Sequence, residues 1–201
     1  MKRLLTILLF SGLTACGSPA PFTYTLSQQS STAASLLTGA EKVGAYALAD
    51  ITVPAEVDQS ALVVQQADGR VLMLAQDRWS APLSAQLQTA LSLELTARLG
   101  MPPVQNLIAG GRDPKVTLVQ VDIQRFEMVP GQFVSIHALW RIRFVGSEHV
   151  LTCFAKLQQP VSIGVAALVT GQQKNTLLLS GLIAESLVSP KGPAQAVCTQ
   201  S

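Results

Sequence analysis

Three stretches of alternating sequence between residues 115 and 158 constrain the fold of this chain more than any other feature. They cover residues 115–128, 132–145 and 149–158, and only the turn-forming pairs Pro130-Gly131 and Gly146-Ser147 punctuate them. Alternation of apolar and polar residues is typical of strands, and short turns favour antiparallel neighbours. We therefore predict a β-meander of three long strands.

The middle stretch indicates which face of this meander is buried, because alternate side chains of a strand point to opposite faces. One set is apolar and is assigned to the core: Val134, Ile136, Ala138, Trp140, Ile142 and Phe144. The other set is mixed: Phe133, Ser135, His137, Leu139, Arg141 and Arg143. We expect Arg141 and Arg143 to be solvated or, in a functional role, to contact an acidic partner or anionic head groups.

Two segments carry a helical pattern instead. Five leucines recur at every fourth position from Leu83 to Leu99. They predict an amphipathic helix with Ser80 as its cap, Pro82 in its first turn and Gly100 as its stop. A second helix is predicted over residues 162–187, where Gly171 and Gly181 lower the helix propensity. Its expected inner stripe is Val165, Leu168, Val169, Leu179, Ile183 and Leu187.

Shorter strand patterns precede the first helix. Residues 22–26 alternate, and residues 43–53 are apolar up to Pro54. Residues 61–65 and 71–75 flank an Asp-Gly pair, which is a strong hairpin signal. Residues 27–42 and 110–114 are interpreted as loops. This order predicts one α+β domain over residues 22–201, with a mostly antiparallel β-sheet and two main helices packed on one face.

The N-terminus carries an export signal. Lys2 and Arg3 precede an apolar run over residues 4–10, and Leu13-Thr14-Ala15-Cys16 follows. The run is shorter than the roughly 20 residues that span a bilayer. The last four residues resemble the bacterial lipobox, which implies a lipoprotein signal peptide over residues 1–15, a lipidated Cys16 and a short tether over residues 16–21. The alternative is an ordinary secretory signal with an incidental cysteine.

Acylation of Cys16, for example with palmitate, would anchor the chain to a membrane without spanning it. Gly17 follows the cysteine, whereas aspartate at that position is the usual signal for retention in the inner membrane. By resemblance to that sorting rule, we expect a location on the periplasmic face of the outer membrane.

The net charge of +2 excludes a polyanion-binding function. Lys2 and Arg3 account for all of it, so the chain after the signal peptide is formally neutral. Hydrophobic residues make up 48% of the chain and charged residues 13%, which excludes a disordered protein. We expect no nucleic-acid partner.

Cys153 and Cys198 form an even pair once Cys16 is set aside, and the expected compartment is oxidising. We predict a disulfide that holds the C-terminal tail on a strand and contributes about 4 kcal/mol on the loop-entropy model. The alternative is a pair of independent buried thiols.

Catalytic and metal-binding patterns are lacking in this sequence. His137 and His149 are its two histidines, and neither has a partner at metal-ligand spacing. The sequence contains no Gly-x-Ser-x-Gly elbow, and Gly110-Gly111-Arg112 lacks the rest of a phosphate loop. We expect no catalytic residues, no metal and no cofactor.

Trp79 lies just before the first predicted helix and allows two interpretations. In the structural one it packs on Leu83 or Leu87 as a hydrophobic staple. In the functional one it is an exposed aromatic anchor at a protein interface.

The order of these motifs resembles one protein family. The relevant segments are Phe22-Thr23-Tyr24-Thr25-Leu26, Val53-Pro54, Arg78-Trp79-Ser80-Ala81-Pro82-Leu83, Ala138-Leu139-Trp140 and Ile183-Ala184-Glu185-Ser186-Leu187. Together with the lipobox they resemble the ABC-type transport auxiliary lipoproteins of the PqiC (YmbA) family over nearly the whole mature chain. The sequence departs from that family after Pro54, where Glu56, Gln59 and Ser60 replace its usual tyrosine, arginine and proline.

The resemblance implies a non-enzymatic outer-membrane lipoprotein that serves an MCE/ABC-type intermembrane lipid transport system and supports envelope integrity. Its implied partners are a periplasm-spanning MCE-domain protein and an inner-membrane transport component. The acyl anchor adds outer-membrane lipids as a partner, and open sheet edges could pair with further copies of the chain in a homo-oligomer. A direct lipid-carrier role is a variant that requires an apolar cavity.

Two alternatives belong to other classes. One is an assembly or structural lipoprotein of another envelope machine, for secretion or lipopolysaccharide insertion. The other is a lipid-anchored periplasmic hydrolase, which requires a pocket that brings a nucleophile to His137 or His149.

Overall fold

The computed structural model describes residues 20–27, 36–66, 68–104, 116–189 and 191–201. Over these ranges the chain forms eight strands, two α-helices and a short 3-10 helix, Ala40–Lys42. The predicted α+β class is confirmed. The signal peptide, Cys16 and the Gly110-Gly111-Arg112 segment lie outside the described residues.

The predicted meander forms the centre of a five-stranded sheet. Its strands are β2 (Tyr46–Leu48), β5 (Thr117–Val129), β6 (Phe133–Arg143), β7 (Val150–Pro160) and β8 (Val197–Gln200), in the order β2-β5-β6-β7-β8. The pairings from β5 to β8 are antiparallel, whereas β2 runs parallel to β5. The C-terminal tail thus contributes β8 to the edge of this sheet.

Three further strands form a separate sheet, so the prediction of one sheet was wrong. They are β1 (Phe22–Tyr24), β3 (Ala61–Gln65) and β4 (Val71–Trp79), in the order β1-β4-β3. The hairpin of β3 and β4 is confirmed, and β4 continues to Trp79 because β1 pairs in parallel with its last three residues.

Residues 43–53 do not form one strand. Only Tyr46–Leu48 pairs with β5 as a strand, and Thr52 adds a single bridge to Asp122. The Ala49 amide donates to the Val119 carbonyl, and the Thr52 amide donates to the Val121 carbonyl. The segment therefore advances by three residues where β5 advances by two. The extra residue interrupts the ladder.

Helix α1 (Leu83–Leu99) begins three residues later than Ser80, so the prediction of a serine cap was wrong. Pro82 takes the cap position and offers no side-chain hydrogen bond, and the Ser80 hydroxyl lies instead 2.6 Å from Nε2 of Gln86. The carboxylate of Asp58, from the loop before β3, accepts a hydrogen bond of 3.0 Å from the amide of Ser84. A loop residue distant in sequence therefore caps this helix.

Helix α2 (Val165–Val188) packs on the face of β6 that was assigned to the core. Residues Val134, Ile136, Ala138, Trp140 and Ile142 are fully buried on that face. Nε1 of the Trp140 indole donates to Oγ of Ser186 on α2 at 3.0 Å. At Gly171 a Cβ atom would lie 2.6 Å from Cγ2 of Val134, so the missing side chain lets the helix approach the sheet.

Polar residues of α2 are also buried against the sheet. Gln172 is completely inaccessible, and its Nε2 donates to the carbonyls of Glu127 at 2.8 Å and Ser135 at 3.2 Å. Asn175 is equally buried and its Nδ2 donates to Oε1 of Gln172 at 3.2 Å. These amides tie the helix to the main chain of β5 and β6, because buried polar groups require partners.

Candidate interaction surface

The five-stranded sheet packs one face against α2, and over the described residues no helix packs on its other face. We call the uncovered side of β5–β8 the open face. Its central strand contributes the second set of alternating residues, with Arg141 and Arg143 exposed at one end. Arg141 lies opposite Thr152 and Arg143 opposite Val150 on β7. The two predicted contact residues are therefore neighbours on an accessible sheet surface.

An apolar row crosses the middle of the open face. Leu139 on β6 lies opposite Phe154 on β7, and Phe154 lies opposite Val197 on β8. Leu139 and Phe154 are half-buried, whereas Val197 is 74% exposed. Side chains paired across strands in this way form a continuous strip.

A second row of basic residues runs parallel to this strip. Arg125, His137 and Lys156 occupy matching positions on β5, β6 and β7. Burial lowers the pKa of His137, and the adjacent Arg125 and Lys156 lower it further, while Glu127 opposes the shift. The imidazole is therefore mostly neutral at pH 7, since its ordinary pKa is about 6.5.

The acidic groups of the open face have partners. Oε1 of Glu127 lies 3.0 Å from Nη1 of Arg125, and the Asp122 carboxylate accepts a hydrogen bond of 2.6 Å from the Thr52 hydroxyl. Among the residues that the structure describes, no ion pair reaches Arg141 or Arg143. The face thus combines an apolar strip with unpaired positive charge, a surface complementary to an acidic partner.

Sequence reasoning missed the basic row, although a signal for it exists. The buried positions of β5 are odd-numbered from Thr117 to Ile123 and then change to the even-numbered Phe126 and Met128, which marks the irregular pairing between Ile123 and Arg125. This bulge turns Arg125 and Glu127 to the open face, where strict alternation would have buried them.

Trp79 lies at the end of β4 and is 3% exposed. Its ring meets Phe126 of β5 edge-on, with the centroids 6.3 Å apart and the planes at 78°. The indole is therefore part of the core between the two sheets and is not presented to a partner by the folded chain.

Cys153 and Cys198 face each other across β7 and β8 and are joined as a disulfide, with their Cα atoms 4.1 Å apart. Cys153 is fully buried on the core side of the sheet. The bond fastens the edge strand β8, and with it Val197 of the apolar strip, to the meander.

Two open grooves accompany these surfaces. One, of about 340 Å³, lies between β5 and the smaller sheet and has Glu56, Arg125 and Glu127 in its lining. The other, of about 390 Å³, lies beside α1 at Asp50 and Gln88. Neither histidine lines them, and charged lining makes them unlike an apolar lipid cavity.

Within the described ranges, no cluster of three or more His, Cys, Asp or Glu residues is arranged to hold a metal ion. In the same part of the chain, no helix has the length and apolar character needed to cross a bilayer.

The sequence matches a known protein family over most of its length. Residues 24–184 match the family described as the ABC-type transport auxiliary lipoprotein component. The chain belongs to this family. The match begins at the last residue of β1 and ends four residues before the end of α2, so it includes helix α1, most of α2 and strands β2–β7, whereas β8 lies outside it. Among curated proteins, none matches the chain.

Two crystal structures share the fold of this auxiliary lipoprotein. One, of an uncharacterized protein, is 17% identical, has a TM-score of 0.66, and aligns 84% of this chain with 99% of its own. The other, protein XCC0632 from Xanthomonas campestris, of the family DUF330, is 13% identical, has a TM-score of 0.59, and aligns 86% of this chain with 96% of its own.

Proposed function

We propose that this auxiliary lipoprotein is a non-enzymatic, outer-membrane-anchored subunit of an MCE/ABC-type intermembrane lipid transport system. The observation that carries the proposal is the family match over residues 24–184. In this proposal residues 1–15 are removed, Cys16 receives acyl chains, residues 16–21 act as a tether, and residues 22–201 form the auxiliary domain on the periplasmic face.

The open face is the proposed docking site for the periplasm-spanning MCE-domain partner. Its support is physical: the apolar strip of Leu139, Phe154 and Val197 lies beside Arg141 and Arg143, which have no ion-pair partner in the described part of the chain. Apolar contact supplies affinity at an interface, and charge complementarity supplies the association rate and specificity.

A non-enzymatic role agrees with the placement of the histidines. His137 sits among two cations on a sheet surface, and His149 is exposed beside the turn before β7. A general base needs a nucleophile within hydrogen-bond reach, and neither ring has such a bond to a Ser, Thr or Cys side chain in the structure as described.

Charge reversal tests the docking site. The double variant Arg141→Glu/Arg143→Glu should fail to co-purify the MCE-domain protein, because it removes both unpaired cations and repels an acidic partner. The matched control is Lys42→Glu/Lys174→Glu, which makes the same change in net charge at two exposed positions away from the open face. It should retain the partner.

Undiminished co-purification by the open-face variant would contradict docking there. Equal loss in both double variants would show that overall charge, and not this face, governs binding. A permease gene and an MCE gene beside the coding sequence would support the transport system, whereas secretion or lipopolysaccharide-insertion genes would favour the other envelope machines.

Homo-oligomer formation is a further part of the proposal. Strand β8 is the last strand of the five-stranded sheet over the described residues, and an edge strand can add a strand from another copy. Light scattering of the purified domain at several concentrations tests it, and a monomer throughout would contradict it.

A further inference from the structure

Strand β4 exposes an unusual amount of apolar surface. Val71, Leu72 and Met73 are 55%, 41% and 64% exposed, and Phe22 on the neighbouring β1 is 66% exposed. We call these four residues the β4 patch. Soluble domains seldom leave consecutive large apolar residues in water, and clusters of them mark interaction sites.

The β4 patch also lies beside an unpaired strand edge. On one side, Val71 and Met73 pair with Gln65 and Val63 of β3. On the other side, β1 covers only the last three residues of β4, and no strand of the described chain pairs with residues 71–76 there. The side chains of Val71, Leu72 and Met73 are thus about half exposed or more exposed, and in the described part of the chain one main-chain edge of residues 71–76 has no partner strand.

The direction of β1 places the start of the chain near this patch. Because β1 runs parallel to β4 with Phe22 opposite Asp77, the chain enters β1 from the end of the sheet nearer to the β3–β4 turn. Cys16 precedes Phe22 by six positions, and Val71 precedes Asp77 by six positions. An extended chain covers about 3.3–3.6 Å per residue, so Cys16 can reach as far along the sheet as Val71.

We propose that the β4 patch seats the protein on a phospholipid surface next to the acyl anchor. This inference rests on the lipidation of Cys16 in the proposed function. The tether is too short to carry the patch far from the bilayer, because residues 16–19 extend the chain by at most about 14 Å beyond Ala20.

The pattern of exposure favours lipid over a protein partner. A strand-binding protein groove takes up alternate side chains, because neighbours point to opposite faces. Here three consecutive residues are exposed, so both faces of the segment are apolar. A fluid lipid interface can surround both faces, whereas a single groove contacts one.

The polar β3–β4 turn limits how deeply the β4 patch can enter the bilayer. Asp68 and Arg70, at the tip of the hairpin, are exposed and form a 2.7 Å ion pair with each other. Charges and an unpaired strand edge are costly in the hydrocarbon core. The β4 patch therefore lies at the level of the head groups and the first acyl carbons.

Fluorescence of one introduced tryptophan tests whether the β4 patch contacts lipid. The acylated Met73→Trp variant is reconstituted in vesicles of phosphatidylethanolamine and phosphatidylglycerol that contain lipids brominated near the head-group end of the acyl chains. The native Trp79 and Trp140 are 3% and 0% exposed, so they contribute a nearly constant background. We expect the new tryptophan to shift to shorter wavelength and to lose intensity as the brominated fraction rises.

The matched control is Val145→Trp, a residue 50% exposed just past the end of β6 in the other sheet. It should show neither effect on the same vesicles. Quenching of both tryptophans would overturn the assignment to the β4 patch. A wavelength shift of Met73→Trp that needs no vesicles and grows with protein concentration would also overturn it, because a second copy would then cover the patch.

Vesicle flotation separates this inference from the anchor on which it rests. One outcome supports the lipid anchor but contradicts the contact of the β4 patch with lipid. In that outcome the acylated chain floats with the vesicles, the Cys16→Ala variant does not float, and bromine does not quench the Met73→Trp fluorescence. If the chain does not float at all, the proposal of a lipidated Cys16 is wrong. Unquenched Met73→Trp fluorescence in the same sample would then also contradict the contact of the β4 patch with lipid.

Discussion

Replacing Gly171 with alanine should destabilise the protein, although alanine is the better helix former. In an ordinary helix interior, glycine to alanine gains about 1 kcal/mol. At Gly171, however, the new Cβ would lie 2.6 Å from Cγ2 of Val134 and 2.7 Å from Cγ1 of Val161. Real Cβ atoms do not approach carbon so closely, so α2 must move away from the sheet.

The same helix provides the control. A Cβ at Gly181 would meet the Arg98 guanidinium at 3.6 Å, which is ordinary van der Waals contact with a flexible side chain. Gly181→Ala should therefore keep the helix-propensity gain and be more stable than the wild type. Both variants share that gain, so the difference between them isolates the overpacking cost, which is about 1–3 kcal/mol in well-packed cores.

Urea unfolding with the disulfide intact measures this difference. With a slope of about 2 kcal/mol per molar, a difference of about 2 kcal/mol separates the two midpoints by about 1 M. Trimming one obstructing side chain in Gly171→Ala/Val161→Ala should recover part of the loss. Equal midpoints for Gly171→Ala and Gly181→Ala would refute the close approach of α2 to β6.

Three further outcomes follow from the structure. Asp58→Ala should cost about 1 kcal/mol by uncapping α1, whereas Glu56→Ala, in the same exposed loop, should leave the urea midpoint unchanged; equal midpoints for the two variants would contradict the cap. Unreduced protein should show no alkylatable thiol at Cys153 or Cys198 in mass spectra, and replacing both with serine should cost about 4 kcal/mol for a sequence separation of 45; two free thiols in native periplasmic material would rule out the bond. Burial and the two flanking cations lower the pKa of His137, so the folded state binds its proton less readily than the unfolded state does; stability should fall as the pH drops below about 6.5, and a His137→Gln variant with the same pH profile would refute this assignment.

The long periodic elements were predictable because their signals are local. The alternation in residues 132–145 and the leucines from Leu83 to Leu99 indicate which side of each element is buried, whereas the alternation in β5 holds only as far as the irregular pairing after Ile123. Strands β5–β7 and helix α1 are confirmed, and their prediction used this periodicity alone. The same pattern placed Arg141 and Arg143 on the surface of the sheet.

The division into two sheets was not predictable, because it depends on three-residue strands. Residues 22–26 alternate and indicate a strand, but β1 and β2 each pair in parallel with a strand far along the chain, and no local pattern identifies that partner. The cap from Asp58 and the burial of the Gln172 amide could not be predicted for a related reason. The role of each polar side chain depends on a partner that is distant in sequence.

The short strand β1 determines how the domain would bear mechanical load. A pull on the acylated end of the chain would act along β1, parallel to β4, so the ladder from Phe22 to Tyr24 would be sheared as a unit and not opened one pair at a time. Beyond the ladder, the Tyr24 carbonyl accepts from the Ser80 amide at 2.9 Å, and the Leu26 amide donates to Oε1 of Gln86 at 3.0 Å. Tension at the membrane would thus pass into the end of β4 and the first turn of α1.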